Sequence, residues 1–227
     1  MRERLTPAVR MGLSIAAAVG VYGVSFGALS VAAGLSVWQT VALSALMFTG
    51  GSQFAFIGVI GGGGTGAAAW AAATLLGIRN GVYGMQLKAL IRPGTRTIPL
   101  MAQLTIDEST ATAVAQDDHE ERVRGFWTAG VGVWVLWNTF TLVGALAGNA
   151  IGDPKLWGLD GAAVAAFLGL LWPRLTGKDP VAVAVAAAVV TIVAVPLVPA
   201  GIPVLIAAAV TAGVWAWRHL RHKRAVS

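Results

Sequence analysis

Apolar residues along this chain come in blocks too long for the helices of a water-soluble domain. Residues 11–78 contain no Asp, Glu, Lys, Arg or His. As a single helix rising about 1.5 Å per residue, that block would measure roughly 100 Å, whereas the hydrocarbon core of a bilayer is about 30 Å thick. The block must fold back on itself, and the pattern predicts three membrane-depth segments. The first runs from Met11 to Ala33, the second from Val37 to Ile60, and the third from Thr65 to Leu90. Arg92, Pro93 and Gly94 end the third.

The most polar part of the chain follows, up to Arg124, although Ile98 to Ala115 stays apolar enough to lie in the interface or re-enter the membrane. Four more segments are expected, at Phe126–Gly148, Leu159–Trp172, Val181–Val198 and Ile202–Trp217. The uncharged stretch 181–217 would be roughly 55 Å long as one helix, so Pro196, Pro199 and Pro203 must form a tight hairpin. The expected fold is all-α: a single-domain polytopic membrane bundle of about seven segments, with halves at about 10–91 and 125–217 joined by polar segment 92–124.

The second segment is not a plain span. Thr49, Gly50, Gly51, Ser52 and Gln53 interrupt it with two glycines and three polar side chains, at a depth where every backbone group needs an internal partner. A broken or re-entrant helix is therefore expected near residues 49–53. If the helix breaks there, the following half-helix, from Phe54 onward, offers amide groups to a carboxylate. A simple kink is the alternative.

Composition agrees with the pattern. Hydrophobic residues make up 56% and charged residues 11% of 227 positions, with mean hydropathy +0.73, whereas soluble domains carry about 25% charge. The placement of the +6 net charge sharpens the topology. Arg2, Arg4 and Arg10 stand at one end of the chain, and Arg218, Arg221, Lys223 and Arg224 at the other. Juxtamembrane basic residues stay on the cytoplasmic side, and anionic headgroups suffice as their partner; no nucleic-acid motif accompanies them. Four spans after the polar stretch put Arg122 and Arg124 on the side of the C-terminus, but three full crossings before it would put Arg10 on the other side. The conflict disappears if the broken second segment does not cross.

Several chemistries are excluded or disfavoured. The absence of Cys removes disulfides and thiolate metal sites. His119, His219 and His222 lack partners at metal-ligand spacing, and Gly61–Gly64 is not followed by Lys-Ser or Lys-Thr, as a phosphate loop requires. No metal or cofactor is expected, and an intramembrane enzyme ranks last among the readings. Small-xxx-small pairs, Gly23 with Gly27, Gly58 with Gly62, Gly77 with Gly81 and Gly144 with Gly148, are expected to mark close helix approach.

The candidate site is the set of polar positions left inside the apolar blocks. Ser25, Phe26 and Gly27 lie in the first segment, Gly50, Gly51, Ser52 and Gln53 in the second, Arg79 and Asn80 in the third, and Asn138 in the fourth. Arg79 carries most weight, because a guanidinium inside a span costs at least about 2.5 kcal/mol and needs a partner. Asp107 and Glu108 are the candidate partners and, in a proton-coupled carrier, the candidate proton carriers. Gly50–Gln53 and Arg79 are expected to receive a carboxylate, Ser25 and Asn138 to line the path, and Phe26, Phe54 and Phe56 to form apolar walls.

In this order, Ser25-Phe26-Gly27, Gly50-Gly51-Ser52-Gln53-Phe54, Ile78-Arg79-Asn80-Gly81-Val82-Tyr83-Gly84 and Asp107-Glu108, the chain resembles the AzlC family, the large subunits of branched-chain amino acid exporters. Two positions depart from the family pattern. Asn80 stands where a His follows the Arg, and Ile106 stands where a Thr precedes the acidic pair. The resemblance implies export of hydrophobic amino acids across the bacterial cytoplasmic membrane, driven by an ion gradient, together with a small four-span membrane subunit of the AzlD type. A channel or pore subunit, or a non-transporting scaffold for a partner transporter, is the alternative.

Overall fold

A computed structural model describes residues 5–151, 168 and 171–226. Among the described residues the regular elements are all helical. Nine α-helices are seen: α1 (Pro7–Ala32), α2 (Val37–Leu46), α3 (Gly51–Gly61), α4 (Gly66–Ile91), α5 (Ile98–Gln103), α6 (Asp107–Val114), α7 (His119–Ile151), α8 (Lys178–Ala194) and α9 (Ile202–Val226). The segment expected at Leu159–Trp172 lies almost wholly outside the described residues. Two helices are long and apolar enough to cross a membrane, α1 and the His119–Gly148 stretch of α7.

Local chemistry explains the boundaries. Thr6 caps α1, accepting from the Val9 amide, with Pro7 in the first turn, where its missing N–H costs nothing. Ser36 and Gln39 form a reciprocal capping box at the start of α2. Thr65 caps α4 through the Ala68 amide. Arg92, in a left-handed conformation (φ 52°), closes α4 ahead of Pro93.

The backbone of the fold is the parallel pair α1–α7. A Cβ on Gly12 would meet Thr128 and Ala129, one on Gly20 would meet Leu136, one on Gly27 would overlap the Thr141 carbonyl oxygen, and Gly148 lies on Ala28. The numbering rises together on both helices, so they run in the same direction. Of the four small-xxx-small pairs, Gly23 with Gly27 and Gly144 with Gly148 serve this contact. Gly58 and Gly81 face open space. Close approach of backbones replaces the hydrophobic drive that apolar surroundings cannot supply.

The heights of the other elements along this pair reveal two hairpins. α2 descends: Ser44 bonds Thr141 (3.3 Å), while Ala45 one residue later accepts from Trp134, a full helical turn and more earlier in α7. α3 climbs back, from Phe54 packed against Tyr22 and Phe26 to Gly61 against Ala33. The broken second segment therefore returns to the end it came from. α4 runs antiparallel to α3, with Gly77 beside Ser52, and ends at the opposite end of the bundle. From there α5 rises until Gln103 reaches Ala45 (2.8 Å). α6 falls back, with Ser109 beside Gly130 and Thr112 beside Gly125. The 98–114 stretch is thus a second hairpin that enters from the other end. Helix-plus-hairpin α1–α2–α3 and helix-plus-hairpin α4–α5–α6 have inverted directions.

This geometry resolves the charge conflict. With α2–α3 returning, the start of α1 and the start of α7 share one end, where the amide of Ala8 donates to Glu121 (3.4 Å). Arg10, Lys88, Arg92, Arg122 and Arg124 all belong to that end. α9 starts at the far end, with Gly201 against Val59 and Ala68, and pairs with α8 in antiparallel fashion, so it heads back toward the basic end.

Asp118 holds the start of α7, its Oδ1 accepting from the amides of Glu120 (2.9 Å) and Glu121 (3.0 Å). These bonds, the Glu121 amide first, hold its carboxyl below the usual carboxylate range. A lowered folded-state pKa means stability that is present above the unfolded value of about 3.9 and lost as pH falls through the folded one. Thermal unfolding between pH 7 and 3 is expected to show this acid loss diminished in Asp118→Asn, which keeps a capping oxygen but not the charge. An unchanged acid slope would remove Asp118 from the account.

Candidate functional site

The two hairpin tips meet near the middle of the α1–α7 pair, and nearly all the candidate residues are there. α2 ends at that depth with carbonyl groups that no further turn can satisfy. They are satisfied from three directions. Gln53 Nε2 donates to the carbonyls of Ser44 (3.1 Å) and Leu43 (3.3 Å). Gln103 Nε2, on the opposing hairpin, donates to Ala45 (2.8 Å) and Leu46 (3.4 Å). Trp134 Nε1, on α7, donates to Ala45 (3.3 Å). Gln53 thus stitches the two halves of the broken helix together.

The break itself depends on Gly50, with φ 59° and ψ −93°, a region that side-chain-bearing residues avoid. Gly50 brings no side-chain cap to α3. The half-helix starts at Gly51, one turn earlier than the sequence suggests, because the glycine pair serves as cap and first residue rather than as an unwound linker. The Gly50 carbonyl accepts from the amides of Gln53 (3.0 Å) and Phe54 (3.3 Å), while the amides of Gly51 and Ser52 lie too early in α3 for an intrahelical acceptor. The hydroxyl of Ser52, in a residue 1% exposed, has no hydrogen-bond partner.

α4 brings the charge. One guanidinium nitrogen of Arg79 lies 2.8 Å from Asp107 Oδ2 and also donates to the Thr49 carbonyl in the break (3.3 Å). Tyr83, one turn on, donates its hydroxyl hydrogen to Asp107 Oδ1 (2.8 Å), and Arg174 donates to the Tyr83 oxygen (3.3 Å). Asn80 Nδ2 donates to the Thr105 carbonyl (3.0 Å), just before α6. Arg79 and Asp107 therefore tie the first hairpin, α4 and the second hairpin into one network. Asp107 has both oxygens engaged; Glu108 beside it has neither Arg79 nor Tyr83 as a hydrogen-bond partner. Both carboxylates sit in the first turn of α6, the favourable end of its dipole.

The remaining candidates divide. Ser25, Phe26 and Gly27 are buried in α1, and Gly27 is used up by the contact with α7. Phe26 and Phe54 form an aromatic core with Tyr22 and Trp137, ring centroids 5.1–6.2 Å apart, and so are packed into the protein rather than walling a cavity. Phe56 instead faces Trp70 at 5.6 Å. Asn138 Nδ2 donates to the Trp134 carbonyl of its own helix (2.7 Å), while its Oδ1 is buried without a partner.

Gln103, Trp134, Tyr83 and Arg174 are the residues that sequence reasoning passed over. Tyr83 carried a usable signal, as a polar side chain one helical turn from Arg79, and Gln103 a weaker one, as a polar side chain four positions before Asp107 but on the other arm of the hairpin. Trp134 and Arg174 carried none. A buried polar group finds its partner wherever the chain returns, and that partner is distant in sequence.

Cavities of about 320 Å³ and 790 Å³ adjoin the break and share Met47, Thr49 and Trp70 among their walls. The smaller contains Ser52 and the glycine face of α4. Among the described residues no group of three His, Cys, Asp or Glu side chains could hold a metal ion.

Comparison with known protein families matches residues 14–151 to the one described as AzlC protein. The matched stretch takes in both hairpins and the Arg79, Tyr83 and Asp107 contacts, while Arg174 lies beyond it. No curated protein and no solved structure matches the chain.

Proposed function

Because the chain belongs to the AzlC family, whose members are membrane-associated and transport-related, we propose that it is the large subunit of a secondary transporter exporting branched-chain or other hydrophobic amino acids. One observation carries the reading: two helical hairpins enter from opposite ends and meet at mid-depth around a paired charge. Inverted units with discontinuous helices at their junction are the architecture in which one bundle rocks against another around a fixed site.

The substrate is a zwitterion with a small apolar side chain. Its carboxylate suits the start of α3, where amide hydrogens and the helix dipole favour an anion. Arg79, paired with Asp107, steadies the break beside it through the Thr49 carbonyl. Asp107 is committed to Arg79 and Tyr83, which leaves Glu108 as the better candidate to accept a coupled proton. The basic end, with Arg10, Arg122 and Arg124, is the cytoplasmic one by the positive-inside rule, in a bacterial inner membrane. A small AzlD-type membrane subunit completes the exporter.

Efflux of radiolabelled leucine from preloaded cells tests this. Cells making the chain together with the small subunit are expected to lose leucine several-fold faster than cells making neither, with saturation and counterflow. Conductance without saturation would point to a pore instead. Efflux from the small subunit alone, at the full rate, would reduce this chain to a scaffold.

A further inference from the structure

Resting on the exporter reading, we infer that the cavity between the start of α3 and the glycine face of α4 is the amino acid site, and that Gly77 and Gly81 set the size of side chain it accepts. The cavity has a volume of about 320 Å³, at the lower edge of the roughly 300–1,000 Å³ common for ligand sites, so it suits one small molecule. Its polar corner is Ser52. That hydroxyl lies in the first turn of the 11-residue helix α3, on a residue 1% exposed, and has no protein partner. A buried hydroxyl left in this state is costly unless a ligand meets it. Beside it are the amides of Gly51 and Ser52, the start of a helix that lacks a side-chain cap and whose Gly50 carbonyl accepts only from Gln53 and Phe54. Together they form a carboxylate receptor, in which the Ser52 hydroxyl and the amides donate.

Apart from Thr49 and Thr74, the rest of the wall is apolar or glycine. Ala73, Gly77 and Gly81 recur at helical spacing on α4 and line the cavity. Unlike the glycines of α1 and α7, neither Gly77 nor Gly81 lies against a neighbouring backbone: Gly77 faces α3 only through the Ser52 side chain, and Gly81 faces nothing. A Cβ on Gly77 would meet Ser52 Oγ alone, at an ordinary 3.5 Å, and one on Gly81 would meet nothing within 4 Å. Both positions are helical, where glycine is the poorer choice for stability. The space they keep open is therefore available to a branched side chain lying between α3 and α4. Arg79 is absent from this wall. It acts through the Thr49 carbonyl, as a positioning residue that holds the break in place.

Binding of radiolabelled leucine and alanine to the purified full-length chain in lipid nanodiscs tests the assignment. Gly81→Val is expected to keep the wild-type melting temperature and alanine binding while weakening leucine about tenfold or more. Ser52→Ala is expected to weaken both ligands about tenfold, the loss of one hydrogen bond to a charged group. Gly84→Val, on the same helix but outside this cavity and equally free of neighbours, is expected to bind both as wild type does. If Gly81→Val and Ser52→Ala bind leucine as wild type does, the cavity is not the site, and the exporter reading stands on efflux alone. If Gly81→Val weakens leucine and alanine equally, the size filter is overturned. If the wild-type chain binds neither amino acid, this inference falls, and the efflux measurement decides separately whether the exporter reading falls with it.

Discussion

Gly144→Ala is expected to abolish the stably folded protein. A single methyl group at that position would overlap the carbonyl group of Val24 on α1, and backbone cannot swing aside as a flexible side chain can. Gly27 makes the reciprocal contact with the Thr141 carbonyl, so relieving one clash would require prying apart the whole α1–α7 pair. Overpacking a closely packed site costs about 1–3 kcal/mol and more where backbone must move. Against a total stability of about 5–15 kcal/mol, a loss beyond 3 kcal/mol is a severe one. The measurement is the yield of monodisperse protein in mild detergent, together with its melting temperature. Gly84→Ala is the control, because nothing lies within 4 Å of its added Cβ. Wild-type yield and melting from Gly144→Ala would show that α1 and α7 are not held as described.

Arg79→Ala is the second large change. Its side chain and that of Asp107 are 24% and 17% exposed, between the regimes of surface and buried ion pairs. Exposed pairs contribute about 0–1 kcal/mol, and breaking a fully buried one costs about 3–5 kcal/mol, so about 2 kcal/mol of stability is expected to be lost. The functional loss should be larger, since the same guanidinium also holds the Thr49 carbonyl at the break. Leucine efflux is expected to fall to the level of cells lacking the protein. Arg79→Lys, which keeps the charge but not the rigid planar guanidinium whose single nitrogen meets both partners, is expected to restore efflux only in part. In a double-mutant cycle with Asp107→Ala, the stability losses should fall well short of additive. Full efflux from well-expressed Arg79→Ala would end its assigned role, and additive losses would deny the pair.

These two sites differ in how far they could be read from sequence. Arg79 was legible because a charge inside an apolar block demands compensation, and the acidic pair at Asp107 and Glu108 was the nearest supply. Which of the two answers was not legible. Asp107 and Glu108 point about 100° apart around α6, and only the docking of α6 beside α4 selects Asp107. Gly144 was legible as a small residue in a recurring pattern, yet Gly81 matches that pattern equally well. One lies against a backbone and the other lines a cavity, a distinction that depends on what the neighbouring helix does.

Gly50 and Gly51 beside polar residues marked the place of an interruption in the second segment, but left a break and a kink both open; the positive φ of Gly50 between α2 and α3 makes it a break. Its consequence was not legible either. A hydropathy block records that residues lie at membrane depth and is blind to the direction in which they run. The same 24 residues from Val37 to Ile60 satisfy the pattern whether they cross or turn back. The charges at the two chain ends required that one end break the positive-inside rule or that an early segment fail to cross, and the packing of Phe54 near Tyr22 and of Gly61 on Ala33 shows the second segment turning back.

By itself, then, the sequence determined the all-helical class, the place of the interruption and the short roll of polar residues inside apolar surroundings. Each of these is a local property: hydropathy, glycine freedom. Tertiary structure alone decided that the break is the tip of a hairpin, that a second hairpin rises to meet it, and that Gln103 and Trp134 close the carbonyls of α2. A polar group at membrane depth must be satisfied by whatever lies beside it, and the residues that do so are 58 and 89 positions away in the chain.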